Sequence, residues 1–362
     1  MKPWLDGPAA DVFLTDHWQR AACFMPGALP NPPPAPDWRA LAADEQVESR
    51  RILTARDAGF SVTDGPFPND GSDPDPTPPW TVLIRHLDTH VPAVRGFLDT
   101  LPFLPRWRLD DIMMSVAVDG GSVGPHVDRY DVFLIQIEGQ RHWQVGKRHA
   151  GVPDPEHASL RLVHPFQPET EHLAQPGDVL YLPPDVPHHG VARGHCVTYS
   201  IGFRAPRLQD IASLVLAELP DDPLLGDAGR RASQDIHAID KPTLRRLADQ
   251  LKDLFDDEEA LAHALGELVT EPIEWDDDAG EDIENGWRPA HPLLCNPTVR
   301  LAHFDRRWLY ANGVRFALSS DADVALAATL CTHRRVDASL AQNACKLARE
   351  LLAEGIVWEK TT

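Results

Sequence analysis

A chain of 362 residues with 43% apolar content and a formal net charge of -21 is long enough for two or three domains, and its acidity argues against broad nucleic-acid binding, because phosphates would be repelled. No run approaches the ~18 consecutive apolar residues of a membrane span, the stretch Met1 to Pro8 is not a charged-then-apolar signal segment, and the five cysteines, Cys23, Cys196, Cys295, Cys331 and Cys345, form no CxxC or disulfide-like spacing. A cytoplasmic protein with reduced thiols is expected, and an acidic surface suits a basic partner, although acidity also serves solubility.

Residues 1 to about 100 place proline-rich loops, Pro32 to Pro36 and Pro66 to Pro79, between predicted helical runs at Trp38 to Gln46 and Trp80 to Leu101. From about 100 to 205 the pattern is that of strands. Gly120, Gly121 and Gly124, with Pro125 after them, let the backbone turn tightly into a strand that carries His126 and Asp128. Side chains two apart on a strand share a face, so these two would point the same way and Val127 the other. Val132 to Ile137, then Glu138-Gly139-Gln140, then Arg141 to Val145 predicts a hairpin, with Arg141, Trp143 and Val145 on one face. Gln175 to His188 reads as a turn, a short apolar strand and a proline-fixed loop that delivers His188.

Two imidazoles and one carboxylate, from His126, Asp128 and His188, are a ligand set for one Fe(II) that leaves three cis positions of an octahedron open. A lone His-x-Asp is a weak signal in a chain with 17 histidines, but the glycine turn and the neighbouring strands strengthen it. Arg141 adds an independent demand. If its face lines a barrel interior, the buried guanidinium needs a carboxylate, and its planar fork suits a bidentate one. A 2-oxoacid that chelates iron at one end and carries a second carboxylate at the other, 2-oxoglutarate, satisfies both, with O2 as the remaining reactant.

After Arg204 the pattern turns helical: Leu208 to Leu219, Thr243 to Phe255 and Glu258 to Val269 carry leucines and alanines at helical spacing. An acidic stretch beginning at Trp275 reads as a solvated linker. Short strands at Val299 to Phe304 and Trp308 to Phe316, with Asn312-Gly313 as a hairpin turn, precede helices at Asp321 to Cys331 and Leu340 to Glu354. That order suggests a winged-helix-like module. Its nine Lys or Arg against seven Asp or Glu in 292–362 are too balanced for a phosphate-binding face, which favours a protein-contact role.

The runs Trp107-Arg-Leu-Asp-Asp-Ile-Met, GGSVGPHVDRYDVF, EGQRHWQVG, PGDVLYLPPDVPHHG and TYSIGFRAP together resemble the JmjC-type ribosomal oxygenases of bacteria, in the cupin superfamily, whose members include hydroxylases of an arginine in a large-subunit (50S) ribosomal protein. The resemblance starts near Val12 and continues more loosely to the C-terminus. It implies His126, Asp128 and His188 as iron ligands, His189 as a neighbour only, and Arg141 as the anchor of the 2-oxoglutarate C5 carboxylate. The family carries hydroxyls on the strand before the HxD turn. This chain has Ser115 there but Ala117 two residues on, so Ser115 and Thr198 are assigned to the cosubstrate, with Ser200 on the last strand also available. Ser200 and Asp119 are assigned to the substrate, Asp119 being preferred over Asp131 as partner of a guanidinium.

The expected fold is thus α+β: a double-stranded β-helix (cupin/JmjC) barrel with an N-terminal helical extension in 1–205, a helical dimerisation region in 206–275, an acidic linker in 276–291 and the winged-helix-like module in 292–362. The expected activity is Fe(II)- and 2-oxoglutarate-dependent hydroxylation of a ribosomal-protein side chain, as a protein arginine 3-hydroxylase, by a cytoplasmic homodimer with a basic ribosomal protein as partner, without membrane attachment or strong nucleic-acid binding. Histidine hydroxylation and N-methyl-lysine demethylation use the same iron site. A non-enzymatic metal-binding cupin regulator would share the ligands but would have no need of Arg141.

Overall fold

The computed structural model describes residues 7–55, 59–69, 76–149, 152–153, 160–218, 241–272 and 287–360, and the chain divides into two compact units, Met1–Ala205 and Pro206–Thr362. The first unit contains α1 (Gly7–Asp16), β1 (Cys23–Met25), α2 (Trp38–Ala43), β2 (Ser49–Ala55), β3 (Gly59–Asp64), β4 (Trp80–Ile84), α3 (Leu87–His90), α4 (Pro92–Arg95), β5 (Leu109–Ala117), β6 (Asp131–Gly146), β7 (Val152–Pro153), β8 (Val163–His164), β9 (Pro168–Ala174), β10 (Val179–Leu182) and β11 (His188–Phe203). A 9-stranded antiparallel sheet runs β1-β10-β6-β11-β5-β4-β2-β3, with β9 also on β6. Two strands of 16 residues each, β6 and β11, form its spine and change neighbours along their length. β6 pairs with β10 through Val132–Ile135 and with β9 through Arg141–Gly146, while β11 pairs with β5 from Cys196 onward.

The predicted hairpin at Glu138-Gly139-Gln140 does not form. β6 continues unbroken through it, and the register against β11 shifts between Arg193 and Val197 and again between Val197 and Thr198. Gly139 has φ +64, and a Cβ there would stand 2.0 Å from the carbonyl oxygen of His195. The glycine that reads as a turn therefore marks a bend opposite a bulge, the other common reason for glycine inside a strand. The helix predicted over Trp80 to Leu101 is also absent. Trp80-Thr-Val-Leu-Ile forms β4, held between β2 and β5, followed by α3, α4 and a 3-10 turn at Gly96–Thr100; the β-branched and aromatic content of that stretch fits a central strand.

One sheet face is the main core. Ile112, Met114 and Val116 of β5, Phe133 and Ile135 of β6, Tyr181 of β10 and Val197, Tyr199 and Ile201 of β11 pack there under Phe13 of α1 and Phe97 and Leu101. Phe13 meets Tyr181 edge-on at 4.9 Å between ring centroids. Each such side chain contributes roughly 1.5–3 kcal/mol by burial. The opposite face, inside the barrel, combines apolar Val132, Leu134, Trp143, Val145, Leu180 and Leu182 with buried Ser115, Gln136, Arg141, His188 and Thr198. Asp131 is fully buried, not a surface carboxylate: it accepts from Tyr181 Oη at 2.6 Å and Gln19 Nε2 at 3.0 Å, with Arg108 at 3.5 Å. This placement removes it as a partner for a substrate guanidinium.

The second unit holds α5 (Leu208–Ala217), α6 (Lys241–Phe255), α7 (Glu258–Thr270), β12 (Leu293–Cys295), β13 (Leu301–Phe304), β14 (Trp308–Ala311), β15 (Val314–Ala317), α8 (Asp321–His333), β16 (Arg335–Val336), α9 (Ala338–Asn343), α10 (Cys345–Ala353) and β17 (Val357–Glu359). Asn312 and Gly313 both have positive φ, 48° and 73°, as a two-residue hairpin turn requires. The helix expected over Leu340 to Glu354 is broken at Ala344 into α9 and α10. α7 lies on the β13–β15 meander: Trp308 Nε1 donates to Glu259 at 2.6 Å, and His263 Nδ1 and Tyr310 Oη are 2.9 Å apart. The expected acidic linker lies, up to residue 286, outside the described residues. Among the described residues no helix is long and apolar enough to cross a membrane.

Candidate metal centre

His126 does not sit in a regular strand as expected. It forms isolated antiparallel bridges to Leu162 and His188. His126 N donates to His188 O at 3.0 Å and His188 N to His126 O at 2.9 Å, while Asp185 N donates to the backbone oxygen of Asp128 at 2.8 Å. These few backbone bonds bring the end of the glycine-rich turn against the start of β11. Gly124, at φ +84, is needed there because a Cβ would stand 2.7 Å from the Phe60 ring and 2.8 Å from Leu162.

The side chains converge. One ligand atom from each of His126, Asp128 and His188 lies within 4.8 Å of the others. Asp128 Oδ2 is 4.0 Å from His126 Nε2 and 3.6 Å from His188 Nε2, both under the ~4.2 Å that two ligands each ~2.1 Å from a shared ion can span. His126 Nδ1 is 2.9 Å from Gly124 O and His188 Nδ1 is 3.0 Å from Val186 O. Only a protonated Nδ1 satisfies those carbonyls, so both rings carry the proton there and turn the Nε2 lone pair toward Asp128. Burial, reinforced by His126, pushes His188 down to about 4, which keeps it neutral at pH 7, the form that binds a metal. His189, also held near 4 by burial, lies edge-on to Phe166 and outside the triad.

Arg141 is 3% exposed, on the interior face. Its Nη2 donates to Ser115 Oγ at 3.1 Å and to Cys196 Sγ at 3.5 Å, its Nε is buried with no partner, and its Cζ lies 5.6 Å from the centroid of the Trp143 ring. No carboxylate among the described residues forms an ion pair with it. An unpaired buried guanidinium costs several kcal/mol, and an anion in contact with it would offset that cost. Ser115, as acceptor of one Nη2 proton, keeps its own hydroxyl proton to donate. Thr198 Oγ1 instead donates to Gln136 Oε1 at 2.9 Å, and Gln136 Nε2 donates to Glu138 O at 2.7 Å, so Thr198 offers the cavity lone pairs only.

Ser200 is half-buried two positions along β11 from Thr198, opposite Leu134 and Met113. Asp119 is exposed, and its Oδ1 accepts from Gly194 N at 2.8 Å, which braces the β11 bulge and leaves Oδ2 available. The sequence did not single out Gln136, Cys196, Tyr130 or Asp111. Gln136 was hidden by a second irregularity, opposite Val197 and Thr198, where β6 carries one extra residue; the inward residues of β6 are even before the bend (Val132, Leu134, Gln136) and odd after it (Arg141, Trp143, Val145). Half-buried Tyr130 has its hydroxyl pushed up by burial and by the nearby carboxylates of Asp128, Asp111 and Asp110. Asp110 is paired with Arg204 at 2.6 Å and Asp111 with Arg85 at 3.4 Å.

Comparison with known proteins places this geometry. Residues 96–211 match the JmjC domain family. The ribosomal protein uL16 3-hydroxylase of Escherichia coli is 36% identical over 204 residues, 56% of this chain and 54% of the relative, so the chain's match spans about half the length of that curated relative. The crystal structure of the Escherichia coli protein YcfD superposes with a TM-score of 0.82 and 26% identity, covering 99% of this chain and 100% of that one. YcfD, described as a ribosomal oxygenase, in complex with cobalt and 2-oxoglutarate superposes with a TM-score of 0.79 at 26% identity, over 99% of both chains. Residues 96–211 are therefore a JmjC domain, carried in a chain whose fold is that of the Escherichia coli ribosomal oxygenase YcfD.

Proposed function

We propose that this chain is an Fe(II)- and 2-oxoglutarate-dependent dioxygenase that hydroxylates a ribosomal-protein side chain, an arginine of the large-subunit protein uL16. The observation that carries the reading is Arg141: a guanidinium 3% exposed on the barrel interior, without a carboxylate partner among the described residues. It supports a cosubstrate with a second carboxylate, and a metal-sensing cupin would have no use for it. The relative in complex with cobalt and 2-oxoglutarate and the relative named a uL16 3-hydroxylase support the same pairing of ion, cosubstrate and substrate.

His126, Asp128 and His188 would hold the ion, with Gly124 O and Val186 O fixing the imidazoles. When bound, Fe(II) with 2-oxoglutarate supplies oxidation of an unactivated C–H bond by O2, with succinate and CO2 as co-products. Arg141 and Ser115 receive the C5 carboxylate. The apolar wall of Leu134, Trp143, Val145 and Leu180 keeps water from that end of the barrel and strengthens the ion pair. Asp119, through its unused oxygen, and Ser200 face a cationic substrate, and the chain's acidity draws in a basic protein. The protein acts in the cytoplasm as a homodimer, with the half-exposed Leu244, Leu247 and Leu251 on one side of α6 as the apolar surface it covers.

Incubating the full chain with Fe(II), ascorbate, 2-oxoglutarate and a uL16-derived basic peptide is expected to yield succinate in step with one added oxygen on a peptide arginine. Arg141→Ala is expected to raise the apparent requirement for 2-oxoglutarate by about tenfold or more. Succinate output unaffected by the peptide, with no added oxygen on it, would overturn the substrate assignment.

A further inference from the structure

The Nη2 of Arg141 has two protons, and the structure accounts for both: Ser115 Oγ takes one and Cys196 Sγ the other. Cys196 is fully buried, pairs in register with Ala117, and forms a small enclosed cluster with Ala117 and Ala192. Neither alanine offers a side-chain polar atom. On that side of the guanidinium the thiol is therefore the side-chain acceptor, and its bond is assisted by the arginine's charge. The guanidinium is thus pinned from β5 by Ser115 and from β11 by Cys196, with Nε left buried and unpartnered for a ligand. We infer that Cys196 is a positioning residue for the cosubstrate anchor: it fixes the plane of the Arg141 guanidinium so that a donor not taken by Ser115 or Cys196 meets a carboxylate without rearranging. The inference rests on the reading of Arg141 as a carboxylate anchor.

Its consequence concerns binding, not chemistry. Removing the acceptor leaves one buried N–H unsatisfied and the fork freer to turn, which is expected to weaken 2-oxoglutarate binding by about 3- to 10-fold. The test is calorimetric titration of 2-oxoglutarate into the full chain loaded with Mn(II), for wild type, Cys196→Ala, Cys196→Val, Cys196→Ser and Arg141→Ala, with Tm recorded for each. Expected are a raised Kd for Cys196→Ala and Cys196→Val, Mn(II) affinity equal to wild type, and recovery to within about 2-fold of the wild-type Kd by Cys196→Ser, whose hydroxyl is again an acceptor. Lower Tm with wild-type Kd in the alanine and valine variants would overturn the inference and leave Cys196 a packing residue, while a Kd loss confined to Arg141→Ala would leave the anchor reading intact. If Arg141→Ala also binds as wild type, the anchor reading fails and the inference falls with it. Should Cys196→Ala be too unstable to titrate, valine against serine decides: equal Kd values for the two overturn the inference.

Discussion

Asp111 near the start of β5 shows what a single side chain can cost. Burial, with Asp110 beside it, raises its carboxyl from 3.8 to about 6, against the opposing pull of Arg85. A carboxyl that holds its proton more tightly in the folded state than in the unfolded one makes the fold less stable as pH rises from about 4 to about 6, and the deficit persists above that. Asp111→Asn is therefore expected to gain about 2 kcal/mol at pH 7.5 and nothing at pH 4, read from thermal unfolding at the two pH values. An equal or lower Tm for the variant at pH 7.5 would contradict the assignment. Other residues were easier to foresee. His126, Asp128 and His188 stand out because ligand chemistry limits the residue types, and Arg141 because a charge inside an apolar, alternating run must find a partner. Cys196 and Gln136 were not legible, since their roles depend on which strand crosses them.

At the level of elements, β6 decides how the barrel closes. Its unbroken course brings Arg141 opposite Ala192, and Gln136 opposite Thr198, on the same β11 strand, and Gly139 makes the bend. Gly139→Ala must place a Cβ 2.0 Å from a backbone oxygen at φ +64, so a loss of about 3 kcal/mol is expected in urea unfolding; a change below about 0.5 kcal/mol would show that the bend is not set by this residue. The inward face of Arg141, Trp143 and Val145 was readable although the turn before it was not, because the period of two holds on either side of a bulge. Asn312-Gly313 was readable for a different reason: few residue pairs accept positive φ twice in succession. Trp80 to Leu101 was misread because its strand is stabilised by partners more than 20 residues distant, at Ser49–Leu53 and Met114–Ala117, which local propensity does not register.

For the whole molecule, a net charge of -21 and two compact units fit the proposed encounter with a basic protein, but neither feature selects the chemistry. That choice rests with three candidate ligands and one arginine gathered on β6, β11 and the turn before β6. Composition bounded the class of protein, and the resemblance of its motifs gave the barrel; the division at Ala205 and the seating of α7 on β13–β15 come from long-range packing. The convergence itself is tested most directly by anaerobic titration of the full chain with Fe(II) and then 2-oxoglutarate, with metal analysis of the recovered protein. One Fe(II) per chain, lost in His126→Ala, Asp128→Ala and His188→Ala, and 2-oxoglutarate binding that needs both the ion and Arg141, is the expected result. Undiminished Fe(II) in the three alanine variants, or 2-oxoglutarate bound equally well without Arg141, would contradict it.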